Sequence, residues 1–178
     1  MKHPQLDTIE LIKSHITAIP DFPIPGILFR DLLPIFQHHL ATEALFFELT
    51  KHCKKFEPDY IFGLDARGFL LAPAVCARLG IPFVPIRKRG KLPGEVVSAN
   101  YEKEYGQDSF ETYKIDLSGK RVVVLDDLLA TGGSVACATK LIESQGGLVV
   151  GYVFAIELIG LKAREKLEAE TSSVVQYE

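Results

Sequence analysis

Apolar residues in this chain follow two rhythms, and the change between them falls near residue 60. Ile9, Ile12, Ile16 and Ile19 recur at steps of three and four, the period of an amphipathic helix. Asp7 stands at an N-cap position with Glu10 three residues on, a variant of the capping box. Pro20, Pro23 and Pro25 then end the helix and predict an extended passage from Asp21 to Pro34. Leu45, Leu49, Cys53 and Phe56 mark one face of a second helix.

From Tyr60 onward, short apolar runs alternate with helical stretches. Tyr60–Leu64 reads as a strand, Phe69–Leu79 as a helix stopped by Gly80, and Phe83–Ile86 as a strand. A polar stretch from Arg87 to Asp108 follows, carrying Gly90, Pro93, Gly94 and Gly106. Phe110–Ile115 reads as an extra strand, joined by a Ser118-Gly119 turn to Arg121–Leu125. A helix from about Ser134 to Gln145 ends at Gly146-Gly147. Val149–Glu157, a short charged helix near Leu161–Glu168, and Ser173–Gln176 complete the pattern.

The run Val122-Val123-Val124-Leu125 is apolar on both faces, as a central parallel strand between two helical layers must be. Repeated βα units of this kind predict an α/β fold: a doubly wound, mainly parallel sheet flanked by helices. A single domain spanning residues 1–178 is expected. Residues 1–34 would form an N-terminal helix and hood, and residues 87–108 a flexible lid loop.

Composition narrows the function classes without choosing one. The formal net charge of −3 calls for neither nucleic acid nor an anionic membrane surface. Cys53, Cys76 and Cys137 lie far apart with no CxxC pair, so neither a disulfide framework nor a zinc site is expected. Met1 to Glu10 lacks the apolar core of a signal peptide, and no apolar run approaches a membrane span. A cytoplasmic location is the expectation. His38 and His39 read as surface residues, Cys137 as a small core residue, and Phe46 and Phe47 as core rather than base-stacking residues.

The chemistry is concentrated between Val122 and Ser134. In open parallel sheets ligands sit beyond the carboxyl ends of the strands. Here such an end carries Asp126 and Asp127, then Leu128-Leu129, then Ala130-Thr131-Gly132-Gly133-Ser134 opening a helix. Gly132 and Gly133 let the backbone curl so that several N–H groups converge on one anion. Thr131 and Ser134 add hydroxyl donors, and the helix dipole favours negative charge. The two carboxylates would repel a phosphate but can accept hydrogen bonds from sugar hydroxyls. The segment therefore describes a phosphorylated pentose. A P-loop would need a lysine that is absent, and no GxGxxG is present.

This segment resembles the phosphoribosyl pyrophosphate (PRPP) motif of the type I phosphoribosyltransferase family. The likeness reaches from about Asp21 to Leu167, and its details point to the adenine-specific branch. There Gly63-Leu64-Asp65-Ala66-Arg67-Gly68-Phe69, a second strand–turn–helix junction, would grip pyrophosphate, often through a non-proline cis peptide, here Asp65–Ala66. Ala66 stands where some members carry Ser, and Ser134 where others carry Thr. The basic run Arg87-Lys88-Arg89-Gly90-Lys91-Leu92-Pro93-Gly94 resembles the branch's segment whose cations contact pyrophosphate, in some cases from the neighbouring subunit; Arg87, Lys88 and Lys91 are the candidates.

Tyr101-Glu102-Lys103-Glu104-Tyr105-Gly106 is similar to that branch's lid. The resemblance makes Glu104 the general base on the purine, with Tyr105 packing near the reacting centre and Arg67 beside the leaving group. It makes Leu28 and Arg30 the residues whose backbone groups read the adenine amino edge. It implies transfer of phosphoribosyl from PRPP to adenine, giving AMP and pyrophosphate. Mg²⁺ would be held mainly through pyrophosphate and water, and the chain would work as a homodimer.

Three alternatives stay open at this level. One is a 6-oxopurine or pyrimidine phosphoribosyltransferase, which the PRPP segment alone does not exclude. Another is a non-catalytic PRPP-binding regulator, which would need a nucleic-acid surface that this composition does not offer. The third is a carboxylate-metal hydrolase built on Asp126 and Asp127.

Overall fold

Asp7 caps the first helix as its position predicts, its Oδ1 accepting a hydrogen bond from the Ile9 amide at 3.0 Å. The computed structural model describes residues 7–103 and 106–178. The chain divides into two compact units, Met1–Glu48 and Leu49–Glu178.

In the first unit, helix α1 (Thr8–Ser14) is shorter than the isoleucine spacing predicts. Beyond His15 the chain becomes strand β1 (Thr17–Pro20), paired antiparallel with β2 (Leu28–Asp31). The correction has a plain cause. Ile16, Thr17 and Ile19 are β-branched residues that lose rotamer freedom in a helix and pack well on a pleated strand, and Pro20 closes the pair at its edge. The passage between them is turned rather than extended: Asp21 and Gly26 both take positive φ, and the Phe22–Pro23 bond is cis. A 3-10 turn (Leu33–Gln37) leads to helix α2 (His39–Lys54), which crosses the boundary between the units. Leu45, Leu49 and Cys53 are fully buried along one face of α2, as their spacing predicts, and Phe56 is buried just past its end. His38 and His39 are exposed. Phe47 is exposed at 60%, against expectation, while half-buried Phe46 tilts against Phe36 at 6.3 Å.

The second unit is a seven-stranded sheet. Its strands are β3 (Tyr60–Leu64), β4 (Phe83–Lys88), β5 (Val96–Lys103), β6 (Gly106–Tyr113), β7 (Arg121–Leu129), β8 (Leu148–Leu158) and β9 (Thr171–Tyr177). Their order is β5-β6-β4-β3-β7-β8-β9. The five from β4 to β9 run parallel, and β6 and β5 add an antiparallel edge.

Helix α3 (Gly68–Leu79) packs on β3 and β7, and α4 (Gly133–Glu143) on β7 and β8. Alternate residues of one strand serve different layers: Phe62, Val122, Val124, Tyr152 and Phe154 share a core with Ala138, Leu141 and Ile142 of α4. Ile61, Val123 and Leu125, equally buried, point to the opposite face. Within the α4 core the hydroxyls of Thr139 and Tyr152 satisfy each other at 2.8 Å. This is the doubly wound arrangement that the triple valine predicts.

Two stretches differ from expectation. The polar segment read as a loop from Arg87 to Asp108 is largely the β5–β6 hairpin, in register from Val96↔Tyr113 to Lys103↔Gly106. Val96 and Val97 favour a strand, and β4 offers an open antiparallel edge. The charged helix expected near Leu161–Glu168 is a pair of 3-10 turns, Ile159–Leu161 and Ala163–Lys166, broken by Lys162 at φ 52°.

Candidate active site

Strand β3 last pairs with β7 at Gly63↔Leu125, whereas β7 continues beside β8 as far as Leu129↔Glu157. The unequal lengths expose one flank of β7 from Asp126 onward. A cleft of about 320 Å³ opens there, lined by Asp65, Ala66, Arg67, Asp126 and Asp127. Two loops that the sequence marks separately thus meet at one strand end. Gly68 permits the approach: a Cβ on it would lie 3.0 Å from the Leu125 carbonyl oxygen and 3.1 Å from Asp126 Oδ1.

The next hollow, of about 90 Å³, is lined by Asp126, Leu128 to Ser134, and Val135. It is the turn expected to hold phosphate. Gly132 sits at the N-cap of α4 with φ 82° and has no side chain to cap the helix's first turn. The first amides of α4 thus keep their donors for an incoming anion. Ala130, Thr131, Gly132, Gly133 and Ser134 all border this hollow.

The electrostatics of the cleft follow from burial. Asp127 is only 6% exposed and Asp126 partly so. Burial first, and then the charge of Asp127, push the Asp126 carboxyl well above the ordinary range. Burial raises Asp127 too, while the Arg67 guanidinium pulls it back down. Arg67 Nε lies 2.5 Å from Asp127 Oδ2. Two adjacent buried acids resist carrying two full charges, so hydroxyl donors or a cation would be welcome there.

On the other side of the Ala66 turn, Arg87 Nε donates to Asp65 Oδ2 at 2.9 Å, and Arg87 Nη1 donates to the Lys91 carbonyl at 3.3 Å. The Asp65–Ala66 bond is cis, as the resemblance implies. Lys88 ends β4, and exposed Lys91 follows the Gly90 turn. Leu28 and Arg30 lie on β2 in the first unit. Glu104 and Tyr105 lie outside the described residues.

A phosphoribosyltransferase domain model matches residues 34–176. Adenine phosphoribosyltransferase of Synechococcus sp. (strain CC9902) is 44% identical, the match covering 94% of this chain and 97% of that one. The enzyme of the same name from Drosophila pseudoobscura pseudoobscura is 41% identical over 96% of each. The crystal structure of adenine phosphoribosyltransferase from Saccharomyces cerevisiae, complexed with an imino-altritol bisphosphate and adenine, superposes with a TM-score of 0.89 at 42% identity. That likeness covers 94% of this chain and 98% of the yeast chain. The chain belongs to the adenine phosphoribosyltransferase family.

Within this family's frame, several residues that brace the Gly132 turn carry no motif of their own and are missed by sequence reasoning. Glu157, at the end of β8, is 2% exposed and takes two contacts of 2.6 Å from Arg164 Nε and Nη2. Gln176 Nε2 donates to the same carboxylate at 2.9 Å, and Arg164 Nη1 donates to the Thr171 carbonyl at 2.9 Å. The Arg164 hydrogen bond acts first among the causes that hold Glu157 far below its usual range, at about 2. This cluster fixes the Ala163–Lys166 turn, whose Ala163 backs Gly132: a Cβ there would meet Ala163 Cβ at 3.5 Å. Lys166 Nζ also donates to the Thr131 carbonyl at 3.4 Å. An acid ending the apolar run Val149–Glu157 is the one signal that marks the cluster in the sequence.

A divalent cation finds few protein donors here. Among the described residues no group of three or more His, Cys, Asp or Glu gathers. Asp65, Asp126 and Asp127 are the carboxylates of the cleft, and Arg87 already engages the first and Arg67 the last. That donor set fits an ion held mainly by its ligand's own oxygens and water, as Mg²⁺ prefers. No described helix is long and apolar enough to cross a membrane.

Proposed function

We propose that this chain transfers the 5-phosphoribosyl group from PRPP to adenine, releasing pyrophosphate and forming AMP. The observation that carries the reading is the meeting of an uncapped Gly132–Gly133 helix start, two buried acids and the Ala66–Arg67 turn at one strand end. The 5-phosphate is taken by the amides and hydroxyls of Ala130–Ser134. Asp126 and Asp127 accept hydrogen bonds from the ribose hydroxyls. Ala66 and Arg67, with Arg87, Lys88 and Lys91, receive pyrophosphate, a forked guanidinium suiting its paired oxygens.

The base comes from the other side of the reacting carbon. Backbone groups of Leu28 and Arg30 read the adenine amino edge, and Glu104 takes the imidazole proton as N9 bonds to the anomeric carbon, with Tyr105 packed close by. As pyrophosphate leaves, that carbon gains positive character, which the carboxylates of Asp126 and Asp127 stabilise. Closure of the lid, residues 87–108, keeps water from taking adenine's place. Mg²⁺, for which the protein offers only the cleft carboxylates and which would otherwise be held by substrate and water, would supply positive charge that neutralises the leaving group.

The yeast relative's crystals hold adenine, which supports adenine as the base here. A cytoplasmic enzyme, consistent with three free cysteines, and a homodimer, as the family implies, complete the reading. The test is to supply PRPP and Mg²⁺ with adenine, hypoxanthine or guanine and to follow nucleotide formation. Adenine should be preferred by about 10²-fold or more in kcat/KM, because a site built around an amino edge rejects bases lacking it. Comparable turnover of hypoxanthine would move the chain to the 6-oxopurine enzymes.

A further inference from the structure

Glu111 is an acid inside an apolar edge of the sheet, between Phe110 and Thr112, and it is only 3% exposed. Its hydrogen bonds come from main-chain amides, with the charge of Arg89 acting on it as well. Glu111 Oε1 accepts from two consecutive amides, Lys91 N and Leu92 N, each at 2.7 Å. Burial works to raise this carboxyl, but the amides of Gly90, Leu92 and Lys91 outweigh it and hold it below the usual range. It is therefore an anion sewn into the main chain of the basic loop.

The loop is anchored from its other side as well. Arg87 faces Glu111 across the β4–β6 pairing, and its guanidinium spans two acceptors, Asp65 Oδ2 and the Lys91 carbonyl. Asp65 precedes Ala66 and Arg67, and Arg67 contacts Asp127. A continuous chain of polar contacts thus runs from Glu111 through the Lys91 peptide, Arg87 and Asp65 to the turn beneath the cleft. Without Glu111, the Lys91 and Leu92 amides would be left to water, and the Gly90-containing turn would have to be ordered when an anion binds.

We propose that Glu111 is a positioning residue for the leaving group: by fixing the Lys91–Leu92 main chain, it presents Arg87 and Lys91 to pyrophosphate beside the Ala66–Arg67 turn. Preorganising cations in this way strengthens binding of the diphosphate alone. A purely structural carboxylate would affect every ligand through the fold, or none. The inference rests on the function proposed above.

AMP and magnesium pyrophosphate are the probes, since AMP occupies the phosphate and ribose positions without reaching the basic loop. The variants are Glu111→Ala and Glu111→Asp, which keeps the charge but draws it back by one methylene. Either should weaken pyrophosphate about tenfold while AMP affinity stays within about twofold. Glu111→Gln, which retains an acceptor oxygen, should recover most of the loss. Should the alanine variant not fold, the aspartate variant carries the test, with AMP binding as its folding control. Unchanged pyrophosphate affinity in Glu111→Asp, or equal loss for both ligands, overturns the positioning role. Wild-type protein that binds neither probe would instead overturn the proposed function itself.

Discussion

Arg67 and Asp127 are linked across the cleft, with Nε 2.5 Å from Oδ2. Arg67 belongs to the turn expected to hold pyrophosphate, and Asp127 to the pair expected to hold ribose. Each satisfies the other's charge. A substrate carrying both groups can replace that contact with two better ones: phosphoryl oxygens for the guanidinium and hydroxyl donors for the carboxylate. On the proposed assignments, PRPP binding exchanges this one contact for those two.

Replacing Asp127 with Asn tests this exchange. The substitution removes one of two mutually repelling buried charges, so the fold should survive. Loss of a charge-assisted hydrogen bond to the ribose should weaken PRPP by about tenfold or more, read by calorimetric titration. Unchanged PRPP affinity would contradict the ribose assignment.

Much of this architecture is legible in the sequence, and the exceptions share a cause. Val122–Leu125, Tyr60–Leu64 and the Gly80 stop are local signals, and the strands and helix end they predict are present. The acids and the Gly-Gly turn also sit together in sequence, so their meeting needs only strand direction. What local pattern misreads is decided by distant partners. Ile16 and Ile19 fit a helical period, yet Thr17–Pro20 finds strand β2. Glu111 and Glu157 look like ordinary solvated acids until the fold brings Lys91 and Arg164 to them.

Glu104→Gln should leave PRPP affinity intact and lower turnover at saturating substrates by about 10²-fold, the range of a lost general base. The measurement is kcat under adenine and PRPP saturation. Turnover within about threefold of wild type would remove Glu104 from the proton-transfer step.

Gly132 has φ 82° and, at 3.5 Å, both the Cβ and the carbonyl oxygen of Ala163 behind its missing side chain. Gly132→Ala should therefore strain the turn by about 1–2 kcal/mol, the penalty of a left-handed backbone for an L-residue. AMP affinity should fall by about tenfold while far-ultraviolet circular dichroism is unchanged. An alanine variant binding AMP as tightly as wild type would show that the turn does not hold the phosphate.

The Glu157–Arg164 pair should appear in the acid stability of the protein. The folded-state pKa of Glu157, about 2, lies below its ordinary value of 4.5. Its contribution is therefore fully present above pH 4.5 and is lost as pH falls toward 2. Denaturant melts across that window should show wild type losing more stability than Glu157→Gln does. Parallel curves for the two proteins would mean that the pair adds nothing beyond packing. At neutral pH, Arg164→Ala should lower stability by about 2 kcal/mol, because Glu157 loses two charge-assisted contacts while Gln176 still donates to it.

The most direct measurement is a crystal structure of the chain with AMP. The phosphate should sit in the hollow of Ala130–Ser134, within hydrogen-bond reach of the first amides of α4, with the ribose hydroxyls on Asp126 and Asp127. An AMP molecule bound elsewhere, with that hollow left without phosphate, would contradict the account at its base.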